Sequence, residues 1–199
     1  MLGRLRERYQ KAIAPVGVAL VKTGISPNAM TLLSLLIAVL SGLVYAIREP
    51  ISGASLVVFA SVLDMFDGAI ARAMNGGTRF GATFDHVVDR YAEFFIVFGI
   101  IYGKYCDWTV GSFTLFGMLM ASFTRAKAES VGGLRSCTVG IAERQEKLLL
   151  LIVGSILTPL FIDTLYYATL LVGVLSHITV VQRLRYTWIQ TKEGKLRTT

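Results

Sequence analysis

Apolar residues in this 199-residue chain fall into long runs instead of narrow amphipathic stripes. Residues 29–47 are uncharged over the length, roughly 20 residues, that a helix needs to cross a hydrocarbon core of about 30 Å. Residues 51–71 are apolar apart from Asp64 and Asp67 near the end, and 82–102 are interrupted by Asp85, Asp89, Arg90 and Glu93. Residues 108–124 and 148–162 are uncharged, and 164–181 carry only His177. The pattern predicts an all-α integral membrane protein with six transmembrane helices. The first run begins too far into the chain, and lacks the small-residue cleavage site, to read as a signal peptide.

Polar clusters punctuate the runs. Arg48-Glu49-Pro50 and Asn75-Gly76-Gly77 read as helix breakers, and Ser26-Pro27-Asn28 reads as an N-cap followed by proline at the first helical position. Ahead of the first span, Leu2, Leu5, Tyr9, Ala12, Ile13 and Val16 recur near helical spacing, opposite Arg4, Arg6, Arg8 and Lys11. Residues 1–23 are therefore expected to form an amphipathic helix lying in the membrane interface. The organisation is a single membrane domain over 1–199, with the six-helix bundle at 29–181 and a tail at 182–199.

Composition supports a lipid solvent. Hydrophobic residues make up 54% of the chain and charged ones 17%, against about 25% charged in soluble domains. The mean hydropathy is +0.60. Disordered chains, disulfide-stapled modules and coiled coils each need a different composition. The net charge of +7 would fit a nucleic-acid partner, but its distribution argues for topology. Seventeen of the 20 basic residues fall before the first span, after the last, or in the second and fourth loops. The positive-inside rule makes that side, with both termini, cytoplasmic, which requires an even number of spans. No nucleic acid is expected to bind. Cys106 and Cys137 fall on opposite sides and should not pair.

Five of the 13 acidic residues lie within the second and third spans, although an ionisable group at membrane depth costs a few kcal/mol. Asp64 and Asp67 are spaced i, i+3 and Asp85 and Asp89 are spaced i, i+4, so each pair shares a helix face. The short connection makes the two helices antiparallel neighbours, with both pairs near one end. A buried ion pair with Arg72, Arg79 or Arg90 would explain one such carboxylate but not four at this spacing. Hard divalent cations with all-oxygen shells are the natural partners, and Mg²⁺ commonly combines carboxylates with substrate phosphates. Two metals also suit phosphoryl chemistry. Gly68, Ala71 and Gly81 leave room beside the carboxylates, and Arg72 could meet a phosphate.

Asp64-Met-Phe-Asp67-Gly68-Ala-Ile-Ala71-Arg72, eight further residues, then Gly81, Asp85 and Asp89 resembles the D-x-x-D-G-x-x-A-R … G-x-x-x-D-x-x-x-D signature of the CDP-alcohol phosphotransferases. The resemblance implies a homodimeric membrane enzyme that uses two divalent ions, Mg²⁺ or Mn²⁺, and displaces CMP from a CDP-linked lipid with an alcohol. It implies that Asp64, Asp67, Asp85 and Asp89 hold metal, and that Asp64, Asp67 and Asp85 also meet the CDP diphosphate. Gly68, Ala71, Arg72 and Gly81 are expected to line the cytidine pocket, and Asp89 to serve as general base for the acceptor hydroxyl. The site is expected to face the cytoplasm from the plasma membrane of a prokaryote.

Ser122-Phe-Thr-Arg125-Ala-Lys127-Ala-Glu129 resembles the S-Y-x-K-A-R-A-E stretch of the inositol-phosphate-using branch, with its two basic residues exchanged in type. Ala142-Glu143-Arg144 and Gln182-Arg183 resemble the same branch. A phosphorylated polyol needs cations, and arginine is the better bidentate phosphate ligand. Arg125, Arg144 and Arg183 are the candidates, with Ser122, and with Asn28 and Thr31 near the substrate phosphates. Glycerol 3-phosphate is the alternative acceptor, and an intramembrane cation transporter the alternative without that chemistry. His177 is expected to be a hydrogen-bonded core histidine, whereas Glu93, Lys127, Arg135 and Lys147 take no assigned role.

Overall fold

The structure is a computed structural model of the chain, and it describes residues 13–74 and 76–192. Among these there are only helices and connections: α1 (Ile13–Lys22), α2 (Pro27–Ala46), α3 (Pro50–Ala73), α4 (Arg79–Tyr102), α5 (Trp108–Ser130), α6 (Arg144–Leu157) and α7 (Thr164–Lys192). Residues 1–12 of the expected interfacial helix, including its four basic side chains, lie outside the described residues; 13–22 are helical.

Local signals account for the boundaries. The Ser26 side chain accepts from the Ala29 N–H at 3.2 Å and Pro27 opens α2. Thr78 and Asp107 cap α4 and α5 in the same way, each at 2.9 Å. Gly76 and Gly77, with φ of +98° and +73°, make the reversal between α3 and α4 that a side chain would strain. Three helices differ from the hydropathy reading, and the first, α5, runs on past 124 to Ser130. Helix α6 spans Arg144–Leu157 instead of 148–162, because Pro159 cannot continue a helix and Glu143 provides an extended start. Helix α7 runs on to Lys192, so the expected tail begins as a polar extension of the last helix.

Pairs of close residues fix how the helices run. Thr31 meets Asp67, Ser34 meets Ala60 and Ser41 meets Gly53, so α2 and α3 are antiparallel. Asn28 lies at Gly81, and the Gly42 backbone is packed against Gly99, so α2 and α4 run the same way. Helix α5 parallels α7, with Thr114 against Gly173, Gly117 against His177 and Ala121 against Arg183. Helix α6 spans the two groups, meeting α3 through Arg144 and Asp64 and α7 through Gly154 and Ala168. Glycine at these crossings lets backbones touch, as membrane helices favour.

The interior is small and polar, and the exterior is oily. On α2 the buried side includes Thr31, Ser34, Ala38, Ser41 and Gly42, while Leu32, Leu33, Leu36, Leu40 and Leu43 are exposed. Water would reverse that arrangement, whereas hydrocarbon permits it. Helices α2, α3 and α7 are each long and apolar enough to cross a bilayer. The chain is an integral membrane protein.

Candidate functional site

The alternation of directions brings the starts of α2, α4 and α6 to the same end as the finishes of α3, α5 and α7. Asp64 and Asp67 project from the last turns of α3, Asp85 and Asp89 from the first half of α4, and Glu93 from just past its middle. Asp67 is 6% exposed, Asp89 8% and Glu93 3%. Carboxylate oxygens of Asp64, Asp67 and Asp85 lie within 4.8 Å of one another, as do ligand atoms of Asp85, His86 and Asp89. All four sequence-predicted metal ligands therefore converge. His86 joins them beside Asp85, a position to which no role was given from the sequence.

The cluster is held by specific partners. Thr31 Oγ1 donates to Asp67 Oδ2 at 2.7 Å, orienting that carboxylate from the first turns of α2. Arg144, at the start of α6, places Nη1 2.7 Å from Asp64 Oδ2 and 2.8 Å from Asp89 Oδ1. Its Nε lies 3.9 Å from Glu93 Oε1, and Glu93 Oε2 is paired with Arg90 at 2.7 Å. Of the arginines first considered as ion-pair partners, Arg90 is engaged this way, while Arg72 lies over Gly68: a Cβ there would approach Arg72 Nη1 to 3.2 Å. A Cβ on Gly81 would face Asn28 Oδ1 and Thr78 Oγ1, both at 3.2 Å, so Gly81 keeps open the space between α2 and α4. Ala71 lies against Gly77 at the α3–α4 reversal.

The remaining acceptor candidates occupy the same end but a different layer. Arg125 is paired with Glu129 at 3.1 Å. Beyond the apolar stretch of α5, burial pushes the Glu129 carboxyl up, but the Cys137 N–H and Arg125 outweigh it and hold the group below its usual range. Arg183 is buried and donates Nε to Val139 O at 2.9 Å and Nη1 to Ala121 O at 2.6 Å. Gln182 accepts from the Ile141 N–H at 3.0 Å. Glu129, Gln182 and Arg183 thus pin the 131–143 connection, which leads directly to Arg144. Ser122 sits half-buried beside Ala121. Arg144 alone of the three arginines touches the aspartates, and two of the N–H groups of Arg183 are committed to carbonyls.

Glu93 and Lys147, the latter 4% exposed, are buried charges at this end that sequence reasoning left without a role. Glu93 continues the Asp85–Asp89 stripe by a further turn, which is the signal that could have marked it. His177 is hydrogen-bonded as expected but half-buried instead of lying in the core: its Nε2 lies 3.2 Å from Phe113 O, and its ring stacks on Phe113 with centroids 4.4 Å apart. Cys106 and Cys137 are both buried and unpaired. In the α4–α5 connection, burial pushes the Cys106 thiol up to about 12.

Membrane helices that bring carboxylates together at one end form a candidate site for hard divalent cations. The profile of the CDP-alcohol phosphatidyltransferase family matches residues 24–182, and the chain belongs to that family. It is accordingly a phosphotransferase of phospholipid biosynthesis. It is 32% identical over 183 residues to the archaetidylinositol phosphate synthase of Pyrococcus horikoshii, covering 92% of this chain and 94% of that one. The crystal structure of Mycobacterium tuberculosis phosphatidylinositol phosphate synthase with CDP-DAG bound superposes with a TM-score of 0.80 at 28% identity, covering 89% of this chain and 94% of that one. The same enzyme in complex with manganese and citrate gives 0.79 at 29% identity, covering 88% of each chain.

Proposed function

We propose that the protein transfers a phosphatidyl-type group from a CDP-linked lipid to a hydroxyl of inositol phosphate, releasing CMP. The observation that carries this reading is the convergence of Asp64, Asp67, Asp85 and Asp89 at one end of the bundle, in the family's motif order. The acceptor rests on the relatives, which are named for inositol phosphate lipids in an archaeon and in mycobacteria.

The donor set fits a pair of divalent cations. Its ligands are hard oxygens packed within a few Å, and an arginine already supplies them with positive charge. Asp64, Asp67, Asp85 and Asp89 would hold Mg²⁺ or Mn²⁺, which when bound neutralise the diphosphate and sharpen its electrophilic phosphorus. Thr31 keeps Asp67 turned to its task. Gly68, Ala71, Arg72 and Gly81 shape the pocket for the cytidine half, where a Cβ at Gly81 would intrude between Asn28 and Thr78. Asp89 takes the proton from the acceptor hydroxyl as its oxygen attacks the lipid-side phosphorus; the new O–P bond forms, the bridging P–O bond breaks, and CMP leaves. Arg125, Arg144, the free N–H groups of Arg183, and Ser122 hold the acceptor phosphate, with Asn28 nearby. Positioning and charge neutralisation supply most of the acceleration in such transfers.

The same reading has six spans, with both termini and the site end on the cytoplasmic face of a prokaryotic plasma membrane, and a homodimer as the working form. The concentration of basic residues at that end supports the orientation. The test is CMP release by purified protein with Mg²⁺ or Mn²⁺, using either CDP-diacylglycerol or its dialkyl ether counterpart, and each acceptor separately. Inositol phosphate is expected to support turnover. Release with glycerol 3-phosphate but not inositol phosphate overturns the acceptor assignment, and no release with either overturns the reaction.

A further inference from the structure

The carboxylates proposed to take divalent cations already hold a monovalent one. Arg144 Nη1 sits between Asp64 Oδ2 and Asp89 Oδ1, at 2.7 and 2.8 Å, and so occupies oxygens that a metal would need. Below it, Arg144 Nε and Glu93 Oε1 face each other at 3.9 Å, both buried and neither with a hydrogen-bond partner. That is a donor and an acceptor left facing each other across slightly more than a hydrogen-bond length. The other oxygen of Glu93 is fixed by Arg90 at 2.7 Å, which aims Oε1 at Arg144. A cavity of about 100 Å³ between α4 and α5, lined by Arg90, Glu93, Phe94, Leu115, Met118 and Leu119, leaves the Glu93 side chain room to adjust.

We infer that Glu93 is a positioning residue that receives Arg144 when the aspartates take up divalent cation. In the unloaded cluster Arg144 screens Asp64 from Asp89. On loading, it closes the 3.9 Å gap to Glu93, clears the carboxylates and keeps a compensated charge beside the site. A buried arginine with no such acceptor would have to stay on the aspartates, because an unpaired buried charge is strongly disfavoured. Glu93 thereby sets how readily metal displaces arginine. A purely structural Glu93, serving only to neutralise Arg90, predicts no such link.

The inference rests on the divalent-metal reading, and the experiment separates the two. Mn²⁺ is titrated into full-length protein in nanodiscs without lipid donor or acceptor, and free Mn²⁺ is followed by its electron paramagnetic resonance signal. The variants are Glu93→Gln, Arg144→Gln and the double substitution. Glu93→Gln is expected to weaken Mn²⁺ binding by roughly tenfold in the native background and by less than about twofold when Arg144 is absent, the mark of coupled residues. Equal factors in both backgrounds, or no effect in the first, overturn the inference alone. A native protein that binds no Mn²⁺ overturns the metal reading and this inference with it. If Arg144→Gln fails to fold, structures of the native protein with and without Mn²⁺ decide. Arg144 is expected to leave Asp64 for Glu93, and a guanidinium still bonded to both Asp64 and Asp89 in the loaded protein overturns the proposal.

Discussion

The two ends of this bundle both bury polar groups, but they satisfy them differently. Through the middle and far end, neutral hydroxyls bond across helices: Ser34 to Ala60 O and Ser41 to Gly53 O at 2.9 Å, and Thr114 to Thr169 O at 2.9 Å. Tyr45, fully buried, donates to Ser155 at 2.7 Å, and the Ser155 hydroxyl donates in turn to Leu151 O. At the site end the buried groups are charged, and the account does not close. Among the described residues, the buried side-chain atoms without a partner are Arg90 Nε, Glu93 Oε1, Arg144 Nε and Glu146 Oε2, all at this end. A satisfied hydroxyl network specifies how helices pack. A cluster of partly satisfied charges is kept where function requires it.

That contrast predicts that substitutions at the two ends fail in different ways. The largest effect is expected from Asp89→Asn, which should lower CMP release by about 10³-fold, within the range for loss of an acid–base group. The thermal unfolding midpoint should stay near native, since the amide oxygen can still accept from Arg144, which keeps Asp64 as its ion-pair partner; an unfolded variant would mean that the site end is structural after all. Next is Gly99→Leu. A Cβ there meets the Gly42 backbone, so the α2–α4 crossing must open, at a cost of about 1–3 kcal/mol or more. Thermal unfolding in detergent should show the loss, while turnover per folded molecule holds. A proportionate fall in turnover would show that the two ends are mechanically coupled. The smallest is Tyr45→Phe, which removes one neutral hydrogen bond worth about 0.5–1.5 kcal/mol and should leave activity unchanged.

Much of this was legible in the chain. Helices α2 to α4 begin and end within a few residues of the hydropathy boundaries, and α5 begins at its boundary but runs on to Ser130, because capping and breaking residues act locally while polarity does not stop a helix. The carboxylate cluster was legible for the same reason: i, i+3 and i, i+4 spacing sets a face before any partner is known. The end of α6 is a local effect too, since Pro159 was available to be read, but apolar run length outweighed it. The extension of α7 was hidden because polarity is a poor guide to where a helix stops once it leaves lipid.

The sequence by itself determined a membrane-embedded helical chain, the four aspartates and their common end, and a basic excess gathered at that same end. Those properties depend on composition and on spacing along one helix. Only the tertiary structure decided what the basic residues do. Arg125, Arg144 and Arg183 are alike as letters, yet one pairs with Glu129 on its own helix, one bridges Asp64 and Asp89, and one braces the loop through Val139 and Ala121. Two of those partnerships join residues 80 and 62 positions apart. An arginine reaches whichever acceptor the packing of α3, α4, α5 and α7 brings within its length, and no periodicity along a single helix carries that information.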